Sequence, residues 1–375
     1  MIDERDRLEL WLHYATGTNY KQFAAVREEY YYLDEAWEDV RAGQMGRFTM
    51  LDEEGKQRLM EAARDGFMDR YIRWLDKNQI NVLTSTSYCY PSLLKEIHDP
   101  PAVLFYKGTL NEDMQLPIAV VGTRRCTDYG KEVAKTFGRE LVRAGATVVS
   151  GLATGIDGYA AVGALSVEDA QDPTVAVLGC GIDVVYPQGN EKLYAAIAER
   201  GCVMTEFLPK TRPLPQNFPL RNRIISGLSL GVLVVEAGER SGASITAHLA
   251  LEQGREVFAI PGRVTDRMSI GTNTLIRRGE AKLVTQVSDI LEEFGAAYTS
   301  SEPREVNLSS LSPLEQQIVK ALLSGEKNDD ELMERCDTDI GQLIYTLTEL
   351  SISGIIKQLP GSVYALDTLQ TRIVE

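Results

Sequence analysis

Histidine is scarce. The chain has only His13, His98 and His248, which leaves a Ser or Cys triad without convincing members. His248 lies between Ala247 and Leu249 in a helical stretch, a setting that suits packing better than base catalysis. Cysteine is nearly as rare. Cys89, Cys126, Cys180, Cys202 and Cys336 are scattered and form no CxxC pair, which gives no zinc signature, so no metal or cofactor is expected. The pattern fits free thiols in a reducing cytoplasm. No GxxxxGK[ST] occurs. Gly179-Cys180-Gly181 follows an apolar strand, but Val184 stands where a dinucleotide fingerprint needs glycine, so nucleotide hydrolysis and hydride transfer lose their usual support. No run of about 18 apolar residues is present, so no membrane partner is expected. The opening MIDERDRLEL has neither the basic start nor the apolar stretch of a signal peptide.

Positive charge is also in deficit. The formal net charge is −15, which argues against a general nucleic-acid binder. The deficit is uneven, however. Residues 115–293 carry 19 Lys+Arg and 20 Asp+Glu, whereas residues 294–375 carry 6 and 13. The middle of the chain is the least acidic, and its arginines can gather on one face.

What is present is a strict alternation of strand and helix from Pro117 to Phe294. Pro117–Val121 reads as a fully buried parallel strand. A polar turn follows (Gly122, Thr123, Arg124, Arg125), then a helix with Val133, Phe137 and Leu141 on one face, ended by Gly145. Thr147–Ser150, Thr174–Leu178, Cys202–Glu206, Gly231–Glu236 and Glu256–Ile260 are further strands, and Ala281–Val284 is a candidate seventh. This predicts an α/β fold with a mostly parallel sheet and helices on both faces. Residues 1–80 carry apolar residues at helical spacing and all three tryptophans (Trp11, Trp37, Trp74), which predicts a small helical domain. Residues 81–116 form a connector with two extended pieces and a short helix. Residues 295–307 read as a linker. Residues 308–375 follow the helix–helix–helix–hairpin plan of a winged helix.

The carboxyl edge of such a sheet is where ligands bind. Gly122-Thr123-Arg124, Ser150-Gly151 and Ser241-Gly242-Ala243-Ser244 all lie between a strand and the next helix. Glycine lets a phosphate approach the backbone there, and helix starts present N–H groups. PQNFPLRNRII (residues 215–225), read as a loop leaving the same edge, adds Phe218 for base stacking and Arg221 and Arg223, flanking Asn222, for phosphate. Against this, Phe218 could be core and the arginines could pair with carboxylates. Asp157, Glu206 and Glu236 sit where a catalytic acid would, but capping and loop bracing suit them better.

These motifs resemble the DprA/Smf family of bacterial DNA-processing proteins over essentially the whole chain. The matching pieces are YPSLLKEIHDPPAVLFYKG, VVGTRRCTDYG, VVSGLATGIDGYAAVGAL, VLGCGIDVVYP, FPLRNRIISGLS, VVEAGERSGASITAHLALEQGREVFAIPG and SIGTNTLIRRGEAKLV. The resemblance implies a Rossmann-like core, an amino-terminal SAM-like domain and a carboxyl-terminal winged helix. It implies no known catalysis, and a core that forms homodimers, here around residues 270–287. The function it implies is single-stranded DNA binding, protection of incoming DNA in natural transformation, and loading of the RecA recombinase. Its phosphate-binding arginine corresponds to Arg124, the arginines of its RNR motif to Arg221 and Arg223, and its aromatic to Phe218. Where members often have a basic residue after a YP pair, this chain has Gln188. The acidic winged helix is expected to contact protein, not DNA. The alternative is an enzyme acting on a small nucleotide, because the fold also looks related to phosphoribohydrolases and Glu236, near Gly238 and Ser241–Ser244, could hold a ribose phosphate. A pure protein adaptor would leave Arg124 and the RNR motif unexplained.

Overall fold

The structure is a computed structural model. It describes every residue except 1, 112, 113, 115, 240, 296–303, 360, 367–370 and 375. Two compact units are present, Met1–Tyr298 and Thr299–Glu375.

The first unit is built on a nine-stranded sheet in the order β1-β2-β6-β5-β4-β3-β7-β8-β9. Its parallel strands are β3 (Pro117–Val121), β4 (Thr147–Ser150), β5 (Thr174–Val177), β6 (Cys202–Thr205), β7 (Gly231–Val234), β8 (Glu256–Ala259) and β9 (Lys282–Leu283). The residues of β3 to β7 are all buried, which is why these strands read as unbroken apolar runs instead of alternating ones. Connecting helices include α7 (Asp128–Arg143), α8 (Ile156–Leu165), α9 (Glu191–Arg200), α10 (Asn217–Gly227), α11 (Gly242–Glu252), α12 (Ile270–Arg277) and α13 (Ser288–Leu291). Helices α7 and α8 approach backbone to backbone. A Cβ at Gly138 would stand 2.2 Å from the Ala160 carbonyl, and one at Gly163 would stand 2.0 Å from that of Lys135.

The connector joins the sheet. β1 (Asn81–Thr84) and β2 (Val103–Gly108) flank α6 (Ser92–Lys95) and pair antiparallel, with β2 laid along β6. The amino-terminal helices α1 (Glu4–Thr16), α2 (Tyr20–Glu29), α3 (Leu33–Arg41), α4 (Glu53–Ala62) and α5 (Phe67–Lys77) have no separate core. Leu10, Trp11, Leu59 and Leu75 belong to one buried cluster with Phe105, Leu152, Ala176 and Val203 of the sheet region. The Trp11 indole Nε1 donates to the Leu59 carbonyl at 3.2 Å.

The second unit contains α14 (Pro313–Leu323), α15 (Asp329–Cys336) and α16 (Ile340–Ile352), with a sheet of β11 (Lys327–Asn328), β13 (Val363–Leu366) and β12 (Ile356–Leu359). This is the expected winged helix, with β11 added to the hairpin. The stretch expected to be a linker lies mostly outside the described residues. Its end, Arg304–Asn307, is strand β10, paired in parallel with Thr371–Val374, β14. Among the described residues no helix is long and apolar enough to cross a membrane.

Candidate nucleic-acid interface

Strand β3 pairs with β4 on one side and β7 on the other. The chain winds outward from β3 through β4, β5 and β6, then returns to β7 beside β3. Loops therefore diverge between β3 and β7 and leave a crevice beyond their carboxyl ends. An open cavity of about 620 Å³ lies there, lined among others by Gly122, Thr123, Arg124, Arg125, Tyr186, Phe218, Arg221, Asn222, Ser241, Gly242 and Thr246.

Phe218 is the centre of the site. The Arg124 guanidinium lies 5.0 Å from its ring centroid and that of Arg221 6.0 Å. Tyr186 packs against it at 5.4 Å. Gly179 makes room for the ring, because a Cβ there would stand 2.8 Å from Phe218 Cδ1. The first glycine of the incomplete fingerprint thus serves an aromatic platform, not a pyrophosphate. Arg124 and Arg125 are exposed at the mouth. Ser241 caps α11, its Oγ accepting from the Ala243 N–H at 3.2 Å, and Gly242 is exposed beside it.

The segment read as a loop is helix α10, and this corrects the placement of its arginines. On a helix of 3.6 residues per turn, residues two apart point to nearly opposite sides. Phe218, Arg221, Asn222 and Ile225 line the cavity. Arg223 points away from it. It is buried, with Nε 2.8 Å from Asp99 Oδ2 and Nη2 2.6 Å from Glu206 Oε2. Arg221 is also buried, at 4% exposure. Its Nη1 donates to the carbonyls of Gly151 (2.8 Å) and Val177, which ties together the ends of β4 and β5. Burial lowers the Arg221 pKa to about 10, opposed by the Asp157 charge, so the guanidinium stays charged at neutral pH. A Cβ at Gly151 would stand 2.4 Å from Arg221 Nη2, which is why glycine is needed there.

One glycine N–H expected to face phosphate is engaged elsewhere: Asp157 Oδ2 accepts from Gly151 N at 3.0 Å. Burial pushes the Asp157 pKa up, while the Arg221 charge and nearby backbone N–H groups, that of Gly151 first, oppose the shift. Ser150 is fully buried and Ser244 half-buried, and neither lines the cavity. Glu236 accepts from both Thr127 N (2.9 Å) and Thr127 Oγ1 (2.5 Å), so it braces the start of α7. What reaches the mouth is positive charge from Arg124 and Arg125, the faces of Phe218 and Tyr186, and the polar groups of Thr123, Asn222 and the α11 start. Arg125, Tyr186 and Thr246 were not among the sequence-derived candidates. Tyr186 carried a signal, as an aromatic just after the exit of β5.

Behind Arg223 lies a buried polar cluster. Burial raises the Glu206 pKa to about 7, with Arg223 opposing. The His13 Nε2 is 2.9 Å from the Glu206 carbonyl oxygen, and burial lowers the His13 pKa to about 4. A histidine whose folded pKa lies below its unfolded value of about 6.5 resists protonation in the folded state. Its contribution is present above pH 6.5 and is lost as pH falls toward 4. Relative to His13→Gln, which keeps a donor to the same carbonyl, the wild type should lose roughly 2–3 kcal/mol more between pH 7.5 and 4.5. Urea unfolding of the pair at each pH measures this, and Glu206 cancels in the difference. Parallel curves would contradict it.

Residues 81–295 match the family described as DNA recombination-mediator protein A, and residues 302–362 match the DprA winged helix domain. The chain is 39% identical to Protein Smf of Escherichia coli (strain K12) over 298 residues, 77% of this chain and 78% of that protein. It is 45% identical to the DNA processing protein DprA of Bacillus subtilis (strain 168) over 219 residues, 57% and 71% of the two chains. The X-ray structure of DprA from Streptococcus pneumoniae superposes with a TM-score of 0.64 at 34% identity, covering 78% of this chain and 99% of that one. A Helicobacter pylori DprA structure, described for its single-stranded DNA binding mode, gives 0.53 at 31% identity, covering 59% and 98%. With a nine-stranded Rossmann-like sheet, a winged helix and relatives matched over most of both chains, the chain belongs to the DprA/Smf family of DNA-processing proteins.

Proposed function

We propose that this protein binds single-stranded DNA across the carboxyl edge of its sheet. The observation that carries the reading is the pairing of an exposed arginine, Arg124, with the ring of Phe218 at the mouth of an open cavity. Bases stack on Phe218 and Tyr186, and every base has a face to offer, so sequence preference is weak. Phosphates meet Arg124, Arg125, Thr123 and the α11 start at Ser241–Gly242. Arg221 and Asn222 support the platform from below, and Gly122 and Gly151 shape the walls. Arg223, Ser150 and Ser244 act through the fold. With two exposed arginines at each mouth among the described residues, one subunit binds weakly. A homodimer through the Rossmann-like core, around residues 270–287 where Ile270 and Leu283 are exposed, presents two sites to one strand and gains by avidity.

In the cytoplasm such a dimer protects incoming single strands during transformation and hands them to the RecA recombinase. The acidic second unit suits contact with protein. Exposed apolar residues on α16, namely Ile344, Tyr345 and Ile352, support that role. No catalytic role is assigned, since Glu236 and Asp157 are held by the hydrogen bonds described above.

The test is binding of fluorescent dT oligomers over a salt series. Affinity should fall linearly with salt on a log–log plot. Arg124→Ala should weaken binding and reduce the slope by about 0.7 per arginine removed from a phosphate. A salt-independent wild type, or a variant with an unchanged slope, would sink the proposal.

A further inference from the structure

The DNA path just described leaves one aromatic groove unused. It encloses about 540 Å³ between the amino-terminal helices and the loop after β6, and is lined by Tyr14, Phe67, Tyr71, Trp74, Lys210 and neighbouring residues. Tyr71 and Trp74 lie within 5° of parallel at 6.5 Å, while Tyr14 meets Tyr71 edge-on at 5.6 Å. All four aromatic residues are half-buried. Lys210 is exposed, and its Nζ lies 5.4 Å from the Trp74 ring centroid. The Tyr71 hydroxyl is shielded from solvent and has no hydrogen-bond partner in the structure.

The groove adjoins the first site. Lys210 and Thr211 line the groove, and Pro213, Pro215 and Phe218 line the cavity. Lys210 to Pro213 is three residues, at most about 11 Å of chain. The loop between them is pinned. Lys210 N donates to Asp183 Oδ1 at 2.7 Å, and Gly181 N donates to the Thr211 carbonyl at 2.9 Å. Both partners belong to the β5 exit, which also carries Gly179 under Phe218.

We propose that this groove is a second base-binding subsite for the same strand. One base is held against Trp74 and Tyr71, and Lys210 meets the adjoining phosphate. The inference rests on the reading of the chain as a single-strand binder. It extends that reading to the amino-terminal helices, so that a strand leaving Phe218 crosses the Pro213 rim and is held a second time.

The experiment uses the full chain and a series of dT oligomers of increasing length. Trp74→Leu and Lys210→Asn should leave the shortest binding oligomers unaffected and weaken the longest ones by roughly 5- to 20-fold. Asparagine is chosen because residue 210 has φ +67°, which asparagine tolerates. Intrinsic tryptophan fluorescence should be quenched by long oligomers, and much less so in Trp74→Leu. If Trp74→Leu fails to fold, the exposed Lys210→Asn carries the affinity test. Normal binding that Arg124→Ala weakens, but that neither groove variant changes at any length, overturns this proposal alone, and the groove is then a peptide site or unused. A wild type that binds no oligomer overturns both readings.

Discussion

Arg223→Ala should lower the free energy of unfolding by about 3–5 kcal/mol, the usual result of removing one partner from a buried ion pair. The geometry explains the size. Arg223 bridges Asp99 of the connector and Glu206 at the end of β6. Glu206 is 2% exposed and its Oε1 already has no partner. Without the guanidinium, a carboxylate would be left charged in an apolar setting, or would have to take up a proton. Chemical denaturation at pH 7.5 measures the loss, and a change below about 1 kcal/mol would contradict the bridging role. This outcome differs from what a phosphate-contacting arginine would give. A contact arginine loses affinity with little change in stability, whereas Arg223→Ala loses stability first.

The second large effect concerns Phe218. Phe218→Leu keeps an apolar side chain of similar bulk but removes the aromatic face. It should cost about 1–3 kcal/mol of binding to dT oligomers at fixed salt, the range for one base–aromatic stack. Phe218→Tyr keeps the face and should bind much as the wild type does. Fluorescence anisotropy of the three proteins is sufficient. A leucine variant as tight as wild type would move the stacking platform elsewhere. The two arginine neighbours sharpen the expectation, since a ring with cationic groups at 5.0 and 6.0 Å can take a base while charge for the flanking phosphate stays close.

Much of the fold was legible in the sequence because buried parallel strands have a plain signature. Pro117–Val121 and Gly231–Val234 are short and apolar on both faces, and a glycine follows each within a few residues (Gly122, Gly238). The winged helix was legible from its capped helices and hairpin. The site was legible only in part. Arg124 could be placed because it follows a strand directly. Arg221 and Arg223 could not be separated, because a loop allows both to face one ligand while a helix turns them apart. Pro219 within FPLRN obscured the helix, although proline is tolerated in a first turn, where it stands here. The Gly151 N–H is taken by Asp157 Oδ2, through a contact that no local pattern announces. The shared core of the amino-terminal helices and the sheet is a long-range contact of the same kind, and it turned an expected separate domain into part of one unit.

A single strand lying on the carboxyl edge of the sheet would rest against Phe218 and Tyr186. Photocrosslinking with a 5-bromo-deoxyuridine oligomer, followed by mapping of the attached peptides, reads this contact. Adducts are expected in the peptides carrying Tyr186 and Phe218, and should be lost in the presence of excess unlabelled dT. Adducts confined to residues 304–375, with none in those two peptides, would contradict it.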